Sequence, residues 1–77
     1  EKVDLILLDP PYSSGLLIQS LQIISESDAL KEEGIVLCEH SSKEKLPEDV
    51  GSLHFIKIKK YGSVSVTLYR KTKEDKI

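Results

Sequence analysis

A chain of 77 residues leaves room for one hydrophobic core at most. With 39% hydrophobic and 31% charged residues it is too apolar for a disordered chain, and no apolar run approaches the roughly 18 residues that cross a bilayer. The net charge of -2 hides an asymmetry: residues 1–51 carry four lysines against eleven acids, and residues 52–77 carry seven cations against two acids. A basic C-terminal third suits a phosphate backbone nearby and equally suits solvated lysines on a hairpin.

In chain order, the first element is the apolar run Val3 to Leu8, interrupted only by Asp4 and ended by Asp9-Pro10-Pro11. Such a run reads as a parallel strand buried on both faces. Neither proline has an N–H for a ladder, so the chain leaves the sheet there and Asp9 sits at the strand's carboxyl end. The acidic start, Glu1-Lys2-Val3-Asp4, lacks the basic region of a secretory signal, which predicts a soluble, cytoplasmic protein.

Ser13 or Ser14 caps a helix over about Gly15 to Glu26, whose apolar stripe is Leu17, Leu21 and Ile24, widened by Leu16 and Ile23. The polar stretch Ser25 to Glu33 is assigned a short second helical turn around Asp28 to Lys31. Gly34 opens the next strand, Ile35 to Glu39, which contains the single cysteine. Cys38 has no partner for an intrachain disulfide and reads as a small buried hydrophobe.

His40 to Pro47 reads as a loop, with His40 a loop histidine rather than a neighbour of a site. Leu53 to Lys60 and Val64 to Arg70 are β-rich runs joined by Tyr61-Gly62-Ser63, an antiparallel hairpin in which Tyr61 is a hairpin aromatic. The tail from Lys71 to Ile77 is expected to fray. The order is a parallel βαβ unit followed by an antiparallel β-hairpin, an α/β fold. Glu39 and His40 lack the further partners of a metal site, so no metal is expected.

In open α/β sheets ligands bind beyond the carboxyl ends of the strands, which is where Asp9-Pro10-Pro11-Tyr12 falls. Leu7-Leu8-Asp9-Pro10-Pro11-Tyr12 resembles the motif of the S-adenosylmethionine-dependent amine methyltransferases. Glu39-His40-Ser41, Lys59-Lys60-Tyr61-Gly62 and Leu68-Tyr69-Arg70 extend the similarity, over nearly the whole chain, to the D family of bacterial 16S ribosomal RNA guanine-N(2) methyltransferases. The resemblance implies a partial Rossmann-like class I methyltransferase fold in which the last strand inserts between the Ile35 and Leu53 strands. It implies that Asp9 and the Pro10 carbonyl accept hydrogen bonds from the target amine, that Pro11 and Tyr12 bind the base, and that Asp9 also borders the cofactor, S-adenosylmethionine.

The chain departs from that family by an absence. No glycine-rich loop follows a first strand, and no acidic residue closes a second strand to hold a ribose. On the resemblance, residues 1–77 are the C-terminal half of the methyltransferase domain, inactive alone, with the Val3 strand as an edge open to dimerisation. The implied partner is ribosomal RNA or the small-subunit particle. The competing readings are a DNA adenine amine methyltransferase, which shares the same four residues, and a non-catalytic α/β module in which Asp9 is a turn aspartate and Tyr12 a core plug.

Overall fold

The computed structural model describes residues 2–9 and 14–72. It contains β1 (Val3–Leu8), α1 (Ser14–Glu26), β2 (Leu30–Ser41), β3 (Asp49–Val50), β4 (Leu53–Tyr61) and β5 (Val64–Lys71), with a single sheet in the order β1-β2-β5-β4-β3. β1 and β2 run parallel, in register from Leu5 opposite Ile35 to Leu8 opposite Cys38, and the other pairs are antiparallel. The last strand therefore does lie between the Ile35 and Leu53 strands, and the mixed α/β architecture is the expected one.

The stripe read from the sequence is the face that α1 buries. Leu17 and Leu21 are fully covered and Ile24 partly so, packed on Leu30, Val36, Cys38, Val50, Leu53 and Tyr69 of the sheet. From Gly34 onward the even-numbered residues of β2 are the buried ones because strand side chains alternate between faces, and Val36 and Cys38 thus join the core beneath the helix. On β1 the same alternation turns Ile6 and Leu8 toward the core and leaves Leu5 and Leu7 on the open face, where Leu7 is 66% exposed.

Two expectations are corrected. The helical turn assigned to Asp28–Lys31 is absent, because the backbone there serves the sheet. Val3 N–H donates to the Ala29 carbonyl at 2.8 Å, Leu30 pairs with Val3, and Leu30 is buried. β2 thus starts five residues earlier than read, with a register irregularity opposite Val3 and Leu5 that is accommodated by Glu33 at φ 70 and by Gly34. The second correction is the hairpin, whose loop is two residues rather than three because Tyr61 pairs with Val64. Gly62, at φ 67 in the first loop position, meets the requirement of a type II′ turn.

Gly34 is a close-packing glycine. A Cβ there would lie 2.5 Å from Leu30 Cδ1 and 2.8 Å from the Lys31 carbonyl oxygen. Since Leu30 is itself buried and the carbonyl is backbone, neither yields easily. Gly34→Ala is expected to cost about 1–3 kcal/mol by overpacking, read as a lower urea midpoint with an unchanged slope.

Cys38 is buried as expected, and desolvation pushes its thiol up from 9.0 to about 12. Burial, helped by the nearby charges of Cys38 and Asp49, pushes the Tyr69 hydroxyl from 10.0 up to about 12, and that hydroxyl donates to the Pro47 carbonyl. Both groups are acids that keep their protons in the folded state after the unfolded chain has lost them. Their stabilising share is complete below about pH 9 and shrinks as pH rises from about 9 to about 12. Urea midpoints are expected to fall progressively across that window, and Cys38→Ala should flatten the fall.

Candidate active site at the carboxyl end of the parallel strands

β1 and β2 end side by side. Leu8 is opposite Cys38, so the next residues, Asp9 and Glu39, leave the parallel pair as neighbours, and both side chains are exposed. Together with His40, Ser41, Ser63 and Val64 they line an open depression of about 400 Å³. The placement of Asp9 at a strand's carboxyl end is thus the one expected from the two prolines. Pro10, Pro11 and Tyr12 lie outside the described residues.

His40 belongs to β2 and not to a loop; it is only 8% exposed. Its Nδ1 lies 2.9 Å from the Ser41 carbonyl, which can only accept, so Nδ1 carries the hydrogen. Its Nε2 faces Thr67 Oγ1 at 2.7 Å. Both ring nitrogens are therefore engaged within the protein, and the ring ties the end of β2 to β5 instead of offering a free nitrogen to the depression. Alternation with Val36 and Cys38 was the available signal. It was obscured because the partner, Thr67, is 27 residues away.

The far wall is fixed by hydroxyls. Ser42 Oγ donates to the Gly62 carbonyl at 2.9 Å and lies 2.7 Å from Ser65 Oγ, while Ser42 N–H donates to the Ser63 carbonyl at 2.8 Å. These bonds clamp the β4–β5 turn against the end of β2, so Ser63 and Val64 face the two carboxylates across a braced rim.

Larger depressions, of about 590 and 730 Å³, lie against the C-terminal end of α1 and are lined by Ser25, Glu26 and Ser52 among others. In one of them Lys71 Nζ donates to the Ser27 and Leu30 carbonyls, which explains that lysine structurally. The Asp9 depression couples neighbouring carboxylates to the carboxyl ends of parallel strands, the position favoured for ligands in this class of sheet. Two acceptor-only carboxylates also suit a positively charged sulfonium cofactor, for which they would supply one border of a site.

Residues 1–70 match the family model described as "Conserved hypothetical protein 95". A curated relative from Bacillus subtilis (strain 168), described as "Putative rRNA methyltransferase YlbH", is 39% identical over 66 residues, covering 86% of this chain and 36% of the relative. The chain thus spans about a third of that relative's length. Among solved structures, a conserved hypothetical protein from Streptococcus pyogenes superposes with a TM-score of 0.82 at 31% identity, over 91% of this chain and 44% of that one. A Haemophilus influenzae protein described as "putative methylase HI0767" gives 0.78 at 27% identity, over 91% and 39% of the two chains. An Escherichia coli protein described as "Putative methyltransferase yhhF" gives 0.82 at 22% identity, over 95% and 41% of the two chains, a likeness of fold. The chain belongs to the family described as "Conserved hypothetical protein 95", a methyltransferase family.

Proposed function

We propose that residues 1–77 form the C-terminal half of an S-adenosylmethionine-dependent methyltransferase domain that methylates the exocyclic amine of a guanine in small-subunit ribosomal RNA. The observation that carries this reading is the position of Asp9, exposed beside Glu39 at the carboxyl ends of β1 and β2 and followed directly by Pro10-Pro11-Tyr12. The relative named as an rRNA methyltransferase supports RNA over DNA as the substrate.

A guanine amine is a poor nucleophile because its lone pair is delocalised into the ring. S-adenosylmethionine supplies the methyl group when bound. In this reading Asp9 and the Pro10 carbonyl accept from the two amine hydrogens and favour the positive charge that develops on nitrogen as the methyl arrives, a charge removed when one of those protons is then lost. Tyr12 stacks on the base once it has left its own stack. Glu39, which the sequence did not single out for catalysis, adds a second negative group at the rim of the same depression.

The test is methyl transfer by the full-length protein to 16S ribosomal RNA, to small-subunit particles and to adenine-containing duplex DNA, with the modified nucleoside identified by mass. N(2)-methylguanine in the RNA is the expected product. Methyladenine in the DNA would establish the runner-up, and no product on any substrate would leave the Asp9 corner a turn.

The 77 residues by themselves are expected to show no methyl transfer and to self-associate. β1 lies at the end of the described sheet, contains neither proline nor lysine, and exposes Val3, Leu5 and Leu7, so it has few of the devices that blunt an edge strand. Sedimentation at rising concentration checks this, and a monomer throughout would refute it.

A further inference from the structure

We propose that Lys57, Lys59 and Tyr61, on the open face of β4, form a strip that holds the phosphate backbone and one unpaired base of single-stranded RNA beside the Asp9 depression. The proposal rests on the reading of that depression as the methyl-acceptor site.

The strip exists because of a bulge. Phe55 opposes the buried Tyr69, but Lys57, two residues on, opposes Leu68, only one residue back along β5. Ile56 is the extra residue, and it inverts the alternation of everything after it. Without the bulge Lys57, Lys59 and Tyr61 would follow Phe55 onto the face that packs against the core and the 42–48 loop. That face instead receives Ile58 and Lys60, which line a common depression with Phe55 and Thr67. Bulges that re-aim side chains recur next to active sites, and here the side chains re-aimed are two cations and a ring.

All three residues are exposed, Tyr61 by 60%, and neither lysine takes part in an ion pair among the described residues. The strip also has a defined relation to the depression. Glu39 is opposite Val66, and Val66 is opposite Lys59, which places Lys59 two strand spacings, roughly 9–10 Å, from the rim. Tyr61 pairs directly with Val64, a lining residue of the depression.

The charges are sorted as an amine-bearing base on a phosphate chain requires. Carboxylates Asp9 and Glu39 occupy the depression, where they repel phosphate and suit an amine. The two lysines stand off to one side, where they suit phosphate. An aromatic ring at the turn end of the strip, paired with a lining residue of the depression, is the element that single-strand binding adds to a cationic track, because unpaired bases stack on it and paired bases cannot. β4 is also three strands away from the β1 edge, clear of any further strand that pairs there.

The experiment measures affinity of the full-length protein for a labelled single-stranded 16S ribosomal RNA fragment between 50 and 200 mM salt by fluorescence anisotropy, with melting temperature as a folding control. Lys57→Gln/Lys59→Gln is expected to reduce the slope of log affinity against log salt by about 1.4, two contacts at about 0.7 each. Tyr61→Ala is expected to weaken binding about fivefold or more without changing the slope. Lys43→Gln/Lys45→Gln removes equal charge elsewhere and should leave the slope unaltered. At saturating RNA, turnover of the strip variants should match the parent, with KM raised.

An unchanged slope in Lys57→Gln/Lys59→Gln overturns the proposal, as does an equal loss in the Lys43 and Lys45 variant, or a preference for duplex DNA or for a protein ligand over the RNA. Asp9→Ala separates the two readings, since it should lower turnover about 10²- to 10³-fold while leaving the salt slope intact. If that variant keeps its turnover, the methyl-acceptor reading fails and the slope still decides whether the strip binds RNA.

Discussion

Asp9→Ala in the full-length protein is expected to lower single-turnover methylation of small-subunit particles by about 10²- to 10³-fold, the usual cost of losing one group that stabilises charge in the transition state. Folding should be nearly unchanged. Asp9 follows the last residue of β1, its side chain is exposed, and it is not part of the hydrophobic core, so its removal opens no core cavity. Melting temperature measured alongside turnover separates the alternatives. Near-normal turnover would reduce the corner to a turn, and an early melt would make Asp9 structural. Glu39→Gln, at the same rim, should cost less, because no transition-state contact is assigned to it.

Leu21→Ala is expected to cost about 2–5 kcal/mol, a large share of the roughly 4–12 kcal/mol that a chain of this size commands. Leu21 is fully buried, and α1 is the only helix among the described residues. Leu17 and Leu21 hold that helix on the sheet with help from Ile24, so a cavity beneath Leu21 weakens the whole layer. Urea unfolding followed by far-ultraviolet circular dichroism checks this. A loss under about 1 kcal/mol would mean that the helix settles into the gap.

The parts of the fold that local chemistry dictates were legible in the sequence. Pro10 and Pro11 cannot donate to a ladder and so ended β1 at the right place, Leu17, Leu21 and Ile24 marked the buried face of α1, and Gly62 marked the turn. What was not legible depends on partners distant in the chain. β3 is two residues long and is a strand only because Val50 and Asp49 pair with Leu53 and His54. Lys31, Glu32 and Glu33 look helical in their polarity, yet they occupy an irregular stretch of β2 that exists to bring Leu30 under α1. At the site, Asp9 could be placed from its neighbours in sequence, whereas Glu39 becomes a candidate only through the parallel register, and the bulge at Ile56 is set by the spacing of two strands.

The position of β5 has a consequence for synthesis on the ribosome. Among the described strands it is the last made, yet it sits at the middle of the sheet, with β2 on one side and β4 on the other. Until Val64–Lys71 has emerged, β2 and β4 have no hydrogen-bonding partner between them, and the core lacks Tyr69. The described sheet therefore cannot complete its pairing before Val64–Lys71 has been made, because β5 joins β4 to β2, which lies about thirty residues earlier in the chain. A nascent chain arrested before Val64 should remain protease-sensitive throughout, and one arrested with Lys71 clear of the exit tunnel should become resistant at once across β1, α1 and β2.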